Sequence, residues 1–260
     1  MHSQKPQLKN KEEIVILREG GRRLASLLLE LALNAKVGVS SLDLDNLAFS
    51  IIEKNGDKPS FLNYKARGSK VAYPASICVS VNDEVVHGVP NINPRIFKEG
   101  DIVSIDGGII HKGLFTDSAI TVAIGKVSEA DQKLLNITKE SLYVGIKEAK
   151  IGNFTGDIGF AIENFVKPHG YGIIRELAGH GVGYAVHEDP FIPNYGKKGE
   201  GSKLFSGMVI AIEPMLNIGK SEIILASDGF TYKTRDGSKS AHFEHTVAIL
   251  DNGPEILTRI

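Results

Sequence analysis

The sequence predicts an α+β fold in which antiparallel strands form a sheet and helices pack along one side of it. A β-hairpin followed by helices appears early in the chain, and β-rich segments dominate late. No Pro-, Ser- or Gly-rich linker divides the 260 residues and no strict repeat is visible, so residues 1–260 read as one domain.

The elements follow in order. Residues 10–35 carry an apolar stripe of Ile14, Ile16, Leu17, Leu24, Leu27, Leu28 and Leu31. Asn10 stands where a helix cap belongs, and Glu12 and Glu13 occupy the first turn, where the helix dipole favours negative charge. A second helix is expected over 41–54, stopped by Asn55-Gly56. Residues 57–75 contain Pro59, Gly68 and Pro74 and read as a loop with an exposed basic tip from Lys65 to Lys70. Strand-type runs come next at 76–81, 101–110 and 114–124, the last two joined by Lys112-Gly113 as a hairpin turn. Helices are expected over 128–149 and 156–167, and strands over 208–213, 221–226, 229–234 and 241–249.

Composition narrows the class of function. Hydrophobic residues make up 42% and charged residues 23%, ordinary for a globular enzyme. A formal net charge of -1 gives no electrostatic reason to expect nucleic acid or an anionic membrane as partner. Cys78 is the single cysteine, so no intrachain disulfide forms and a cytoplasmic location is expected. Met1 to Lys11 is polar and charged, unlike a signal peptide, and no apolar run is long enough to span a bilayer.

The hairpin carries the first chemistry. Across a two-residue turn at Lys112-Gly113, paired residue numbers sum to an odd number, and so do those of Asp106 and Asp117. Both carboxylates therefore fall on one face as diagonal neighbours. Val103, Ile105, Ile120 and Val122 make the other face apolar, while Ile102, Ile110, Phe115 and Ala119 share the aspartate face. Apolar residues on both faces imply a buried sheet, where paired like charges need either a shared proton or a cation.

Three further residues belong with this pair. His180 sits in GHGVG, Glu213 closes the apolar run GMVIAIEP, and Glu244 lies in the β-prone SAHFEHTVAIL. Taken singly, each has a bland reading: a loop histidine, or a buried glutamate paired with a base. Taken together, four carboxylates and one imidazole leave a large negative charge in a core, which two divalent cations would resolve. Oxygen-rich ligation with one histidine suits manganese, iron, cobalt or zinc.

At this point the chain resembles type I methionine aminopeptidases, the short bacterial-like branch of the pita-bread metallopeptidases. The likeness runs from the first helix to the C-terminus. It rests on NDEVVHGVP (82–90), GDIVSIDGG (100–108), LFTDSA (114–119), ELAGHGVGYAVHEDPFIPNY (176–195), MVIAIEPM (208–215) and SAHFEHTVAILDNGPEILT (240–258). The resemblance implies a curved antiparallel sheet with helices on its outer face. It implies metal ligation by Asp106, Asp117, His180, Glu213 and Glu244, with Asp117 and Glu244 bridging two ions and Glu213 moving the proton of the attacking water. It assigns His87 to the scissile peptide nitrogen and His187 to the scissile carbonyl. It also implies a methionine pocket of Tyr64, Tyr73, Cys78 and Phe230, with Phe61 beside them, and a monovalent-cation site near Asn82 and Ser240.

The function so implied is removal of N-terminal methionine from nascent polypeptides whose second residue is small, by a cytoplasmic monomer working at the ribosome. Two alternatives are an aminopeptidase with X-Pro preference and a metal-poor binding module on the same fold. The chain departs from the family pattern in the KARGSKVA segment between Tyr64 and Tyr73, in Phe230 where many relatives have tryptophan, and in Leu177 and Val186.

Overall fold

A computed structural model describes residues 6–65 and 71–260. Among these residues there are four α-helices, α1 (Lys11–Asn34), α2 (Ser41–Lys54), α3 (Glu129–Glu148) and α4 (Thr155–Val166). Their starts are written in the sequence. The Asn10 side chain accepts from the Glu13 amide at 2.9 Å while the Glu13 carboxylate accepts from the Asn10 amide at 2.8 Å. Ser40 and Asp43 repeat this reciprocal cap on α2.

The strands are β1 (Lys58–Pro59), β2 (Ile77–Val81), β3 (Glu84–Val86), β4 (Ile102–His111), β5 (Leu114–Ala123), β6 (Gly172–Ile173), β7 (Gly179–Gly181) and β8 (Glu188–Ile192). There follow β9 (Val209–Ile212), β10 (Met215–Asn217), β11 (Ile223–Leu225), β12 (Tyr232–Thr234), β13 (Ser240–His242), β14 (Glu244–Leu250) and β15 (Gly253–Ile256). The main sheet runs β1-β4-β5-β14-β9-β7-β8, with β2 also on β4 and β15 also on β14. Two small sheets, β13-β10-β6 and β11-β12-β3, flank it, and the strands pair antiparallel.

Alternation in the strands decides which face each layer covers. The odd residues Val103, Ile105 and Ile109 of β4 join Leu24, Leu27, Leu28 and Leu31 of α1 and Leu44, Ala48 and Ile52 of α2 in one buried cluster. Ile210 and Ile212 of β9 and Val247 and Ile249 of β14 pack instead with Leu134, Leu142 and Ile146 of α3 and Ile158 and Ile162 of α4. Each pair of helices thus seals one part of the sheet, the pita-bread arrangement expected for the chain.

Several local expectations need correction. The expected strand 241–249 is two strands, because Pro214 has no N–H to give at that level and the Phe243 amide turns to the Pro214 carbonyl, so β13 pairs with β10 while β14 pairs with β9. The loop expected over 57–75 begins with the short strand β1 on β4. His180, expected in a loop, lies within β7. Of the expected basic tip, Lys65 is exposed and residues 66–70 lie outside the described residues. Among the described residues, no helix is long and apolar enough to cross a membrane.

Candidate metal centre

Strand register assembles the site. Asp106 pairs with Ala119, and Gly108 with Asp117, so the two aspartates are diagonal neighbours across an unbroken β4–β5 ladder. Ala119 pairs in turn with Glu244 on its other side. The β14–β9 register, His245 to Ile212, continues to place Glu213 opposite Glu244. In β7, Gly181 pairs with Ile210, which sets His180 level with Ala211, two residues from Glu213. Directly paired residues share a face in an antiparallel sheet, so all five side chains emerge on the same side.

β7 reaches that position because its flanking residues are glycines. A Cβ on Gly179 would lie 2.3 Å from the Ala211 carbonyl oxygen, and one on Gly181 2.4 Å from that of Asp189. On the other side of the site, hydroxyl groups fasten β5 to β14. Thr246 Oγ1 accepts from the Asp117 amide and donates to the Asp117 carbonyl, and Ser118 Oγ donates to the Glu244 carbonyl at 2.7 Å.

The groups converge tightly. His180 Nε2 is 3.6 Å from Glu213 Oε1 and 4.0 Å from Asp117 Oδ2. One ligand atom each from Asp117, His180 and Glu244 lie within 4.8 Å of one another. Asp106 Oδ1, Asp117 Oδ1 and Glu244 Oε1 are buried without a hydrogen-bond partner. Burial raises the Asp106 carboxyl to about 7. It holds those of Asp117, Glu213 and Glu244 well above the usual carboxylate range, with the charge of their neighbours adding to it. His180 is pushed down to about 3, chiefly by burial, so its neutral ring offsets none of this charge. Among the described residues no lysine or arginine ion-pairs with these carboxylates, and the basic groups within 4.0 Å of them are histidine rings. Orphaned carboxylate oxygens facing one neutral imidazole are a donor set that fits divalent cations.

The other expected residues surround this cluster. A cavity of about 310 Å³ is lined by the five residues together with His87, His187, Phe61, Tyr64, Tyr73, Cys78 and Phe230. His87 follows β3 at φ +60 with its ring 5.9 Å from that of Tyr232. His187 is exposed along the cavity opening, yet the protein around it lowers its pKa to about 4. Its ring stands edge-on to His180, with centroids 4.4 Å apart.

Cys78 pairs with Asp106 across β2 and β4, and burial keeps its thiol protonated. The Tyr73 ring meets Phe230 edge-on at 5.5 Å, and its hydroxyl donates to the Gly88 carbonyl at 2.9 Å. Asn82 and Ser240 also meet, the Ser240 amide donating to the Asn82 carbonyl at 2.8 Å.

Sequence reasoning missed His242. It is 1% exposed, neither ring nitrogen has a hydrogen-bond partner, and its Nε2 lies 3.6 Å from Glu213 Oε2 and 4.0 Å from Glu244 Oε2. The signal was parity, since residues 242 and 244 of one β-prone run share a face. Val71, Leu225 and Tyr232 line the cavity too and carry no motif.

The chain is similar to known metallopeptidases in both sequence and fold. Residues 16–251 match the model of metallopeptidase family M24. The chain is 50% identical over 258 residues to a methionine aminopeptidase of Aquifex aeolicus, covering 98% of this chain and 99% of that one. It is 47% identical over 251 residues to one of Clostridium acetobutylicum, covering 96% and 98%. The crystal structure of a methionine aminopeptidase from Thermotoga maritima superposes with a TM-score of 0.93 at 41% identity, over 98% of this chain and 100% of that chain.

Proposed function

This chain belongs to metallopeptidase family M24, and from that membership we propose a metal-dependent methionine aminopeptidase that removes N-terminal methionine when the second residue is small. The observation that carries the reading is the set of orphaned carboxylate oxygens of Asp106, Asp117 and Glu244 at the base of an aromatic-lined cavity.

Asp106, Asp117, His180, Glu213 and Glu244 would hold two divalent ions, drawn from manganese, iron, cobalt and zinc. When bound, the ions supply positive charge that polarises the scissile carbonyl and acidifies the attacking water. Glu213 takes up the proton of that water, a role suited to a carboxylate whose proton affinity burial has raised. His187 donates a hydrogen bond to the carbonyl oxygen as negative charge develops there. His87 contacts the peptide nitrogen and helps the amine leave.

Phe61, Tyr64, Tyr73, Cys78 and Phe230 enclose the methionine side chain, where a thioether gains contact energy from aromatic edges. A monovalent cation beside the Asn82–Ser240 contact belongs to the same proposal. So do a single catalytic domain over 1–260, a monomeric state, a cytoplasmic location and work on nascent N-termini at the ribosome.

The test is peptide turnover. Apo protein is incubated with Met-Gly-Met-Met and with Ala-Pro-Gly, with added manganese or cobalt, beside an Asp106→Ala variant. Methionine release that needs metal and is absent from the variant is the expected outcome. Cleavage of Ala-Pro-Gly alone would overturn the pocket assignment in favour of X-Pro preference. Failure to bind metal would overturn the ligand assignment.

A further inference from the structure

One polar contact at the cavity is made by a residue assigned so far only to the methionine pocket. The Tyr64 hydroxyl lies 2.7 Å from His187 Nδ1, and the two rings are tilted by 52° with centroids 5.2 Å apart. We propose that Tyr64 is a positioning residue for hydrolysis, whose hydroxyl donates to His187 Nδ1 and so leaves the ring proton on Nε2. The inference rests on the reading of His187 as donor to the scissile carbonyl and says what makes it one.

A neutral imidazole carries its single proton on either nitrogen, and the partner of one nitrogen decides the state of the other. A phenol can give or take a hydrogen bond, so the direction of this contact and the tautomer of His187 are one choice, and the Tyr64 O–H···Nδ1 arrangement is the one that leaves a hydrogen on Nε2. Nδ1 is then an acceptor, and Nε2 carries the hydrogen a developing oxyanion needs. With the opposite tautomer, a bare Nε2 lone pair would face that negative charge.

The rest of the ring's surroundings fix its place without fixing its tautomer. The His180 ring packs edge-on against His187 at 4.4 Å. The next residue, Glu188, is held by Lys9 Nζ at 2.5 Å, and its other oxygen accepts from the backbone amides of Tyr184 and Ala185. The backbone of 187 is thus anchored from the far side. Tyr64 has its own anchor, since its carbonyl accepts from the Tyr73 amide at 2.8 Å and its amide donates to the Phe61 carbonyl at 2.9 Å. The phenol is therefore presented to Nδ1 from a fixed stem.

Tyr64→Phe separates the two roles of the residue, because it keeps the ring in the pocket and removes the donor. The variant is expected to lose about tenfold in kcat with little change in KM, the cost of one hydrogen bond used in orientation. Tyr64→Leu, which also removes the ring, is expected to raise KM as well. Long-range proton–nitrogen spectra of the zinc-loaded, histidine-labelled protein should show His187 Nδ1 bare and Nε2 protonated, and both tautomers in Tyr64→Phe.

His187→Ala serves as the reference, and the Tyr64→Phe/His187→Ala double variant should be no slower than His187→Ala alone. An unchanged kcat in Tyr64→Phe would overturn the proposal while leaving His187 in its role; a protonated Nδ1 with a bare Nε2 in the parent protein would overturn the donor role of His187 as well. An unchanged kcat in His187→Ala would overturn both.

Discussion

The β4–β5 hairpin and the strands between residues 172 and 250 build one site by different means. The hairpin is two ten-residue strands with an unbroken ladder from Ile102–Ala123 to His111–Leu114, and its far face is sealed beneath α1 and α2. It brings two carboxylates. The later strands are short, β7 has three residues and a register shift, and they are drawn together by backbone contacts that only glycine allows. They bring His180, Glu213 and Glu244, with His242 beside them. In the hairpin, regular pairing fixes side-chain position over many residues at once. In the later strands, each position depends on a few long-range contacts, so small changes should move the site further there.

The largest effect tests what the hairpin contributes. Asp106→Asn keeps the side chain's size and removes its charge. Turnover should fall by at least ~10³-fold with loss of metal affinity. The metal-free protein should nonetheless melt at a higher temperature than the parent, because a buried carboxylate among like charges has been relieved. Calorimetric metal titration and thermal melts of apo protein read the two outcomes separately. A lower melting temperature for the apo variant would mean that the hairpin, too, depends on its charges for its register.

The next effect sets the two regions against each other with one kind of substitution. Gly181→Ala drives a Cβ to 2.4 Å from the Asp189 carbonyl oxygen, so β7 or β8 must move. A stability loss of about 1–3 kcal/mol is expected from such crowding. A fall in kcat of about 10²-fold should follow from displacing His180. Gly113→Ala, at the hairpin turn, meets open space but must adopt φ +86. It should cost about 1–2 kcal/mol of stability from the left-handed backbone and leave kcat intact. Equal losses of kcat in both variants would erase the distinction between the regions.

The same distinction explains what the sequence made legible. The placement of Asp106 and Asp117 on one face needed only a two-residue turn and the parity of their numbers. Asn10 and the apolar stripe of α1 were equally local. β7 could not be read, because two of its three residues are glycines that look like a loop until β8 and β9 are placed on either side. The division of 241–249 depended on Pro214, far away in sequence and opposite Phe243 only in the folded chain. His242 shares its face with Glu244, but nothing local says that its ring will find Glu213. The meeting of Phe61, Tyr73, Cys78 and Phe230 joins segments that spacing alone does not connect; the resemblance to a family supplied it.

The smallest effect follows from the kinds of group each region supplies, and its sign changes with pH. The histidines His87, His180, His187 and His242 have folded pKa values of about 3 to 4, below the usual 6.5. The unfolded chain takes up their protons first, so their contribution to stability grows as pH rises and is complete above 6.5. The carboxylates Asp106, Asp117, Glu213 and Glu244 are shifted upward, so the folded metal-free protein holds protons that the unfolded chain has already released. Their contribution is full below the ordinary carboxylate range and declines as pH rises through about 7 and beyond.

Below 6.5 the two sets oppose each other; between 6.5 and 8.5 the carboxylates dominate, with the buried Cys78 thiol adding in the same direction at the upper end. Apo protein should therefore lose a few degrees of melting temperature over that upper interval. With saturating manganese the fall should vanish, because the cations now supply the countercharge and bind more tightly as the protons leave. Melts of apo and loaded protein at matched ionic strength decide it. A flat apo profile above pH 6.5 would mean that the four carboxylates are not protonated in the folded state and that some other positive charge already balances them.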